Sequence, residues 1–89
     1  MIVRVPVVLR RYSGGEAAVA VEGETVAAAL DDLFRSHPDL KPRVLDRRGE
    51  VYPYLVLFRN DRAIPREGLL GTALEEDDVV EIVAAAEGG

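Results

Sequence analysis

One segment of this sequence has the 3.6-residue period of an amphipathic helix, and it limits what the rest of the chain can fold into. Its apolar stripe consists of Val26, Leu30, Leu33 and Phe34. Thr25 is a predicted N-cap, because its hydroxyl can accept a hydrogen bond from an unpaired amide of the first turn. Pro38 ends the helix by biasing His37 away from helical angles. A single helix of about three turns needs a sheet to cover its stripe.

The residues before the helix alternate between two faces, as half-buried strands do. Residues 2–10 are predicted to form one strand, with a local break at Pro6 because proline donates no hydrogen bond to a sheet. Residues 16–22 are predicted to form the returning strand, and Gly14-Gly15 favours a tight reversal between them. The two strands are therefore predicted to form an antiparallel hairpin.

Three more strands are predicted after the helix. They cover residues 54–58, residues 62–64 after a tight turn at Asn60-Asp61, and residues 79–84. The connection at 39–53 is predicted to contain at most a short helical turn, at 43–45. Hairpins between near neighbours, with the first and last strands adjacent and parallel in the middle, predict an α+β chain. Its fold class is the β-grasp, or ubiquitin-like, fold: a mixed sheet of four to five strands on one main helix. A ferredoxin-like fold would need a second long helix.

Size and composition exclude several functional classes. A chain of 89 residues with a net charge of −5 is predicted to be one small domain whose main partner is not nucleic acid. The absence of cysteine excludes disulfides, thiolate metal sites and a side-chain thiol nucleophile. No apolar run approaches the ~20 residues of a membrane span, so a soluble, cytoplasmic protein is expected. The single histidine, His37, is predicted to be solvated at a helix end, with no metal or catalytic role.

The strand at 54–58 is apolar on both faces, whereas one helix covers only one side of a sheet. Val56 and Phe58 are predicted to point outward, and with the adjoining Arg59 they form the predicted partner-binding surface. Two alternatives remain open. The loop at 39–53 packs over this face, or a register shift of one residue exposes the neighbouring side chains instead.

Charged residues are unevenly distributed along the chain. No basic residue follows Arg66, whereas an acidic run does, made of Glu75, Glu76, Asp77, Asp78, Glu81 and Glu87. This acidic run is interpreted either as a solvated surface or as a surface that steers the chain toward a basic partner pocket. A basic cluster, Arg43, Arg47 and Arg48, is interpreted as solvated in preference to a contact with an acidic partner.

The sequence ends in Gly88-Gly89 directly after the last predicted strand. Residues 1–84 are predicted to form the domain, and residues 85–89 a flexible C-terminal tail. Without Cβ atoms, the two glycines can enter a narrow channel and leave the terminal carboxylate sterically bare. An ionised carboxylate is a poor electrophile, so chemistry at Gly89 needs activation from outside. The alternative is a frayed end or an expression scar.

Over essentially its whole length the chain resembles the MoaD/ThiS family of ubiquitin-like sulfur carrier proteins. The resemblance rests on the valine-rich first strand, Gly14-Gly15, the helix start at Thr25-Val26, the acidic turn before Val80, and Gly88-Gly89. Pro6, Leu9-Arg10 and Asn60-Asp61 make it most similar to the CysO-type carriers of cysteine biosynthesis. Asp77, Ala84 and Glu87 depart from residues common in the family, which leaves the pathway open.

The resemblance implies a mechanism and partners. A ubiquitin-activating-type enzyme similar to MoeB or ThiF would use ATP to adenylate Gly89, and sulfur would displace AMP to leave a thiocarboxylate. Gly88 and Glu87 would form a flexible arm that carries this sulfur into an acceptor synthase for cysteine, thiamine, molybdopterin or another sulfur-containing metabolite. The chain itself would be a protein co-substrate with no bound cofactor, and not an enzyme.

Two other classes of function remain open. In one, the chain is a protein modifier joined through Gly89 to target lysines. In the other, it is a β-grasp interaction domain whose tail has no function.

Overall fold

A computed structural model describes residues 1–85. Its strands are β1 (Ile2–Arg4), β2 (Ala18–Ala20), β3 (Leu55–Arg59), β4 (Arg62–Ala63) and β5 (Val79–Ala84). Its α-helices are α1 (Val26–Ser36) and the short α2 (Lys41–Val44), and 3₁₀ turns cover Val7–Tyr12, Pro38–Leu40 and Leu69–Gly71.

The described strands form one mixed sheet in the order β2-β1-β5-β3-β4. The central pair, β1 and β5, is parallel, and the other pairs are antiparallel. The buried stripe of α1 joins the inward side chains of β1, β3 and β5 in a single core cluster. The predicted mixed sheet on one main helix is therefore confirmed, with the first and last strands adjacent and parallel.

The first predicted strand was wrong beyond Val5. β1 ends at Arg4, and Val5 donates a last backbone hydrogen bond of 2.9 Å to Ala17. Pro6 has no N–H with which to continue this pairing, and the chain turns into the 3₁₀ segment, where the Leu9 amide bonds to the Pro6 carbonyl at 2.9 Å. Val7 would lie on the same face as Val3 and Val5 if the strand continued, but in the 3₁₀ turn it is 72% exposed. β2 is likewise shorter than the predicted 16–22, although the antiparallel hairpin is confirmed.

Helix α1 begins and ends as the sequence predicted. The Thr25 hydroxyl accepts a hydrogen bond of 3.1 Å from the Ala28 amide, which satisfies one free donor of the first turn. The helix ends at Ser36, and Pro38 begins the following 3₁₀ turn. The approach to α1 is close, because a Cβ on Gly23 would lie 2.6 Å from the Ala29 nitrogen. Only glycine therefore fits between β2 and the helix at this position.

Replacing Thr25 with alanine is expected to lower the free energy of unfolding by about 1 kcal/mol, because the Ala28 amide loses its partner. Urea unfolding followed by circular dichroism measures this loss. Thr25→Ser is the matched control, since it keeps the hydroxyl and should retain most of the stability. Equal losses in both variants would contradict a capping role.

Strand β3 lies one residue later than the predicted 54–58, but its side chains alternate between the two faces of the sheet as predicted. Leu55 and Leu57 are buried, whereas Val56 and Phe58 lie half-buried on the other face of the sheet. Val56 pairs with Val83 of β5, and Phe58 with Glu81. The tight turn after β3 is also as predicted, because Asn60 and Asp61 both have positive φ angles, of 49° and 72°.

The connection at 39–53 contributes to the core more than the sequence indicated. Its helical turn is α2, which begins two residues before the predicted position. Leu40, Val44 and Val51 are buried with the α1 stripe, so this connection packs at the edge of the main core. Val56 and Phe58 stay partly exposed.

Candidate interaction site at the end of the central strands

Because β1 and β5 are parallel, both strands end on the same side of the sheet, where the antiparallel β3 begins. We call this end of the strands the Ala85 end. There the Ala85 amide donates a 2.7 Å hydrogen bond to the Tyr54 carbonyl, just beyond the last strand pair. The predicted reactive Gly89 and the predicted arm residues Gly88 and Glu87 lie outside the described residues. The last described residue nevertheless places their attachment point.

An apolar surface lies beside the Ala85 end on the face of the sheet opposite α1. Val56 and Val83 are cross-strand neighbours, and both are half-buried. A groove next to them is lined by Val83 and by Val7 and Val8 of the first 3₁₀ turn. Val7 and Val8 are 72% and 63% exposed, and together with the groove they form an exposed apolar patch. The sequence analysis missed both, because it treated them as strand residues.

Arg59 lies apart from this apolar surface, at the opposite end of β3. Its Nε donates a 2.7 Å hydrogen bond to Asp78, whose other carboxylate oxygen accepts a 2.8 Å bond from the Asn60 side chain. The Asp78 carboxylate also accepts a 2.7 Å bond from the Glu75 amide. That bond and the Arg59 guanidinium lower the pKa of Asp78 to about 2. The structure therefore gives Arg59 a role in holding the turn before β5, whereas its predicted role in partner binding stays a prediction.

Asp78 differs in burial from the acidic residues that precede it. In the sequence it is one of four consecutive acidic residues, yet it is buried while its three predecessors are exposed. The rest of the acidic turn lies at the start of β5, near the N-terminus, and Glu76 lines a pocket there with Met1, Glu22 and Glu24. We call this opposite end of the strands the Met1 end. Residues 75–78 of the acidic run are thus separated from the Ala85 end by the length of β5.

Arg66 is a second residue whose role sequence reasoning missed. Its guanidinium donates hydrogen bonds to the carbonyl oxygens of Val51, Tyr52 and Leu55, which holds the segment that leads into β3. On this segment the rings of Tyr52 and Tyr54 stack, with centroids 5.2 Å apart. No local pattern around Arg66 signals these contacts, because its partners are backbone atoms more than ten residues away.

Residues 1–85 contain no group of three or more histidine, cysteine or acidic side chains that could hold a metal ion. His37 lies at the end of α1, 3.9 Å from Glu16, and its side chain is only 18% exposed, so the prediction that it is solvated was wrong. Within the same described part of the chain, no helix is long and apolar enough to cross a membrane.

The ThiS family matches this chain over residues 3–89, a span that includes both C-terminal glycines and all of the sheet except Ile2. The chain belongs to the ThiS family. It is 30% identical to the sulfur carrier protein CysO of Mycobacterium tuberculosis over 89 residues, which cover 98% of this chain and 96% of CysO. It is also 36% identical to small archaeal modifier protein 1 of Haloferax volcanii over 72 residues, which cover 80% of this chain and 78% of that protein.

Solved structures agree with this assignment. The ThiS-family chain superposes on a structure from the Amycolatopsis orientalis BexX/CysO complex with a TM-score of 0.89 and 30% sequence identity, covering 99% of this chain and 98% of that one. The fold is therefore the ubiquitin-like β-grasp, as the order of strands predicted, and the resemblance to CysO-type sulfur carriers is confirmed.

Proposed function

We propose that this chain carries sulfur on the carboxyl group of Gly89, as a thiocarboxylate that it donates to a biosynthetic enzyme. The observation that carries this proposal is the family match, which runs through Gly88-Gly89. The 30% identity to a protein named as a sulfur carrier supports the same chemistry. In this proposal residues 1–84 are the domain that partners recognise, and residues 85–89 are the arm that reaches into them.

The chemistry divides into two displacements. In the first, a Gly89 carboxylate oxygen attacks the α-phosphorus of ATP, which forms an acyl adenylate and releases pyrophosphate. In the second, hydrosulfide attacks the carbonyl carbon, AMP leaves, and the thiol proton is lost to give the thiocarboxylate. If a persulfide is the donor, the first product is an acyl disulfide, and a thiol must then cleave its S–S bond.

The carrier has no need of a catalytic side chain in this scheme. A MoeB- or ThiF-like adenylating enzyme binds the ATP and supplies the activation, so the carrier itself requires no bound cofactor. The two glycines leave room around the reacting carbonyl because they have no side chains. The thiocarboxylate sulfur then attacks an electrophile in a sulfur-accepting synthase. The likeness to CysO makes cysteine synthesis the first pathway to test.

Intact-mass measurement tests the proposal directly. The purified chain is incubated with ATP, a sulfide or persulfide donor, and the adenylating enzyme of the source cell. The expected product has gained the mass of one sulfur-for-oxygen exchange, and fragmentation places that gain on Gly89. Omitting ATP is the control and should leave the mass unchanged. Failure to gain sulfur with every adenylating enzyme of that cell would reject the proposal.

A second candidate function is protein modification through an amide bond between Gly89 and target lysines. The 36% identity to small archaeal modifier protein 1 favours it. Immunoblots of source-cell extracts distinguish the two functions, because a modifier appears in high-mass conjugates and a carrier as free protein. The two chemistries share the acyl adenylate, so conjugates together with a thiocarboxylate would indicate both functions.

The outer face of the sheet is the proposed docking surface for the adenylating enzyme. Val56→Lys is expected to weaken binding about tenfold, because it places a charge in the centre of the half-buried apolar face. Titration calorimetry measures the affinity, with Val56→Thr as the control that keeps the β-branched shape. Unchanged affinity in Val56→Lys, with thermal unfolding showing a folded domain, would remove this face from the interface.

A further inference from the structure

Basic and acidic residues are unevenly distributed between the two ends of the sheet's strands. The first 3₁₀ turn follows the end of β1 and carries Arg10 and Arg11. The segment that leads into β3 carries Lys41, Arg43, Arg47 and Arg48, and its Tyr52 amide bonds to the Val44 carbonyl at 3.1 Å. Both segments lie at the Ala85 end. The Met1 end instead carries Glu22, Glu24 and the exposed part of the acidic turn, and its two arginines are Arg59, which is paired with Asp78, and Arg62 on β4. A chain with a net charge of −5 therefore presents a basic surface where its tail is attached.

Most of these basic side chains are not neutralised by acidic neighbours. Among the ion pairs of residues 1–85, the only one in this basic cluster joins Arg48 to Glu50, at 3.3 Å. The nearby Asp46 is occupied with its own loop, since its carboxylate accepts bonds of 3.0 Å from the Glu50 amide and 2.8 Å from the Arg48 amide. These backbone bonds, that of Glu50 first, lower the pKa of Asp46. Arg47 and Arg43 thus keep their charge available to a partner.

Aromatic rings hold part of this basic surface in place. Tyr12 has the Arg43 guanidinium 4.4 Å from its ring centroid and that of Arg11 at 5.7 Å. Such contacts restrict the arginine rotamers before a partner arrives, which lowers the entropy cost of binding. The stacked Tyr52 and Tyr54 extend the surface to the Ala85 backbone, and Tyr52 shares a cavity wall with Lys41, Arg47, Arg48 and the acidic Asp46. The result is a mainly basic and aromatic surface near the attachment point of the tail.

The length of the tail limits which surface a tail-processing enzyme can touch. Gly89 is four residues beyond Ala85, so even a fully extended chain reaches only about 14 Å. An enzyme that acts on Gly89 must therefore bring the entrance of its cleft against the Ala85 end. The acidic Met1 end lies farther back by the length of β5, roughly 17 Å.

We propose that the basic and aromatic surface at the Ala85 end docks against an acidic rim around the adenylating enzyme's tail-receiving cleft. This inference rests on the proposed function. It reverses the polarity of one of the two sequence interpretations, in which the acidic run steers the chain toward a basic pocket. The sorted charges act as a dipole that turns the tail toward the cleft during encounter, so they raise the association rate more than the final affinity.

Two charge reversals of equal size test the inference. Arg47→Glu lies in the basic cluster. Arg62→Glu lies at the Met1 end, on β4, directly after the Asn60-Asp61 turn, whose Asn60 amide bonds to the carbonyl of Val79 at the start of β5. Both positions are exposed, and both substitutions change the net charge by the same amount. With subsaturating carrier, kcat/KM for thiocarboxylate formation is expected to fall at least about threefold for Arg47→Glu and to stay near the wild-type value for Arg62→Glu. Raising the salt concentration from ~50 mM to ~500 mM should remove most of the difference.

The outcomes separate this inference from the function on which it rests. Sulfur transfer to the wild type with equal rates for the two variants would overturn the docking surface and leave the sulfur-carrier proposal standing. A larger loss for Arg62→Glu would place the electrostatic contact at the Met1 end and overturn it as well. If the wild type gains no sulfur, both the proposed function and this inference fail. Thermal unfolding of the two variants confirms that each remains folded.

Discussion

Deletion of Gly88 and Gly89 is expected to abolish thiocarboxylate formation and to change the free energy of unfolding by less than about 0.5 kcal/mol. The chemical effect is complete because the reacting carboxyl group is removed. The new terminal carboxyl group belongs to Glu87, which has a side chain. The stability effect is small because the buried core runs from Val3 to Ile82. Intact mass after incubation with ATP, donor and adenylating enzyme measures the first quantity, and urea unfolding measures the second.

A one-residue extension tests whether the terminal carboxyl group must belong to a glycine. Adding an alanine after Gly89 keeps both glycines but moves the carboxyl group onto a residue with a Cβ. This variant is also expected to gain no sulfur. If the shortened chain is modified as fast as the wild type, the reactive group is not Gly89, and the proposed function falls with it.

Replacing Asp78 with asparagine is expected to lower the free energy of unfolding by about 2–3 kcal/mol. The carboxylate accepts bonds from Arg59, from the Asn60 side chain and from the Glu75 amide. An amide in its place puts an NH₂ group against donors and leaves the partly buried guanidinium without its counter-ion. Asp77→Asn is the matched control, since Asp77 is exposed and its substitution should cost less than about 0.5 kcal/mol. Equal losses for the two variants would contradict the role given to Asp78.

The same carboxylate makes stability depend on acid pH. The pKa of Asp78 is lowered in the folded chain from 3.8 to about 2, first by the Glu75 amide and then by Arg59. The folded state therefore holds this proton less tightly than the unfolded state. The stabilisation is complete above pH ~4 and is lost as the pH falls toward ~2. Urea unfolding across this range should bring the wild type toward Asp78→Asn, and parallel curves would contradict the assignment.

Much of the fold could be predicted because its signals are local. The helix at 26–36 follows from an apolar stripe, a capping threonine and a proline two residues beyond its end. Strand β5 has the predicted bounds, and the alternation in β3 correctly separates Leu55 and Leu57 from Val56 and Phe58. Once five strands and one long helix are known, few topologies bury the helix stripe, so the parallel contact of β1 with β5 could be anticipated.

The errors lie where tertiary context overrides the local pattern. Val7 and Val8 continue an alternating run, yet Pro6 ends the backbone pairing and turns them to the surface. Asp78 cannot be told from its acidic neighbours until the fold brings Arg59 and Asn60 against it. Arg66 likewise finds its carbonyl partners only when the segment before β3 folds back beside it.

The sequence alone determined the fold class, the main helix and the terminal glycines, because these depend on residue type, periodicity and order along the chain. The direction of the charge asymmetry was decided only by the tertiary structure. In the sequence, the acidic run lies close to the terminal glycines. In the fold, β5 separates residues 75–78 of that run from the attachment point of the tail, and the 3₁₀ turn that follows the parallel β1 places Arg10 and Arg11 at the Ala85 end. An extended strand places residues that are near in sequence at opposite ends of the sheet. Which distant residues then lie beside Ala85 depends on how the strands pair, and local sequence does not specify that pairing.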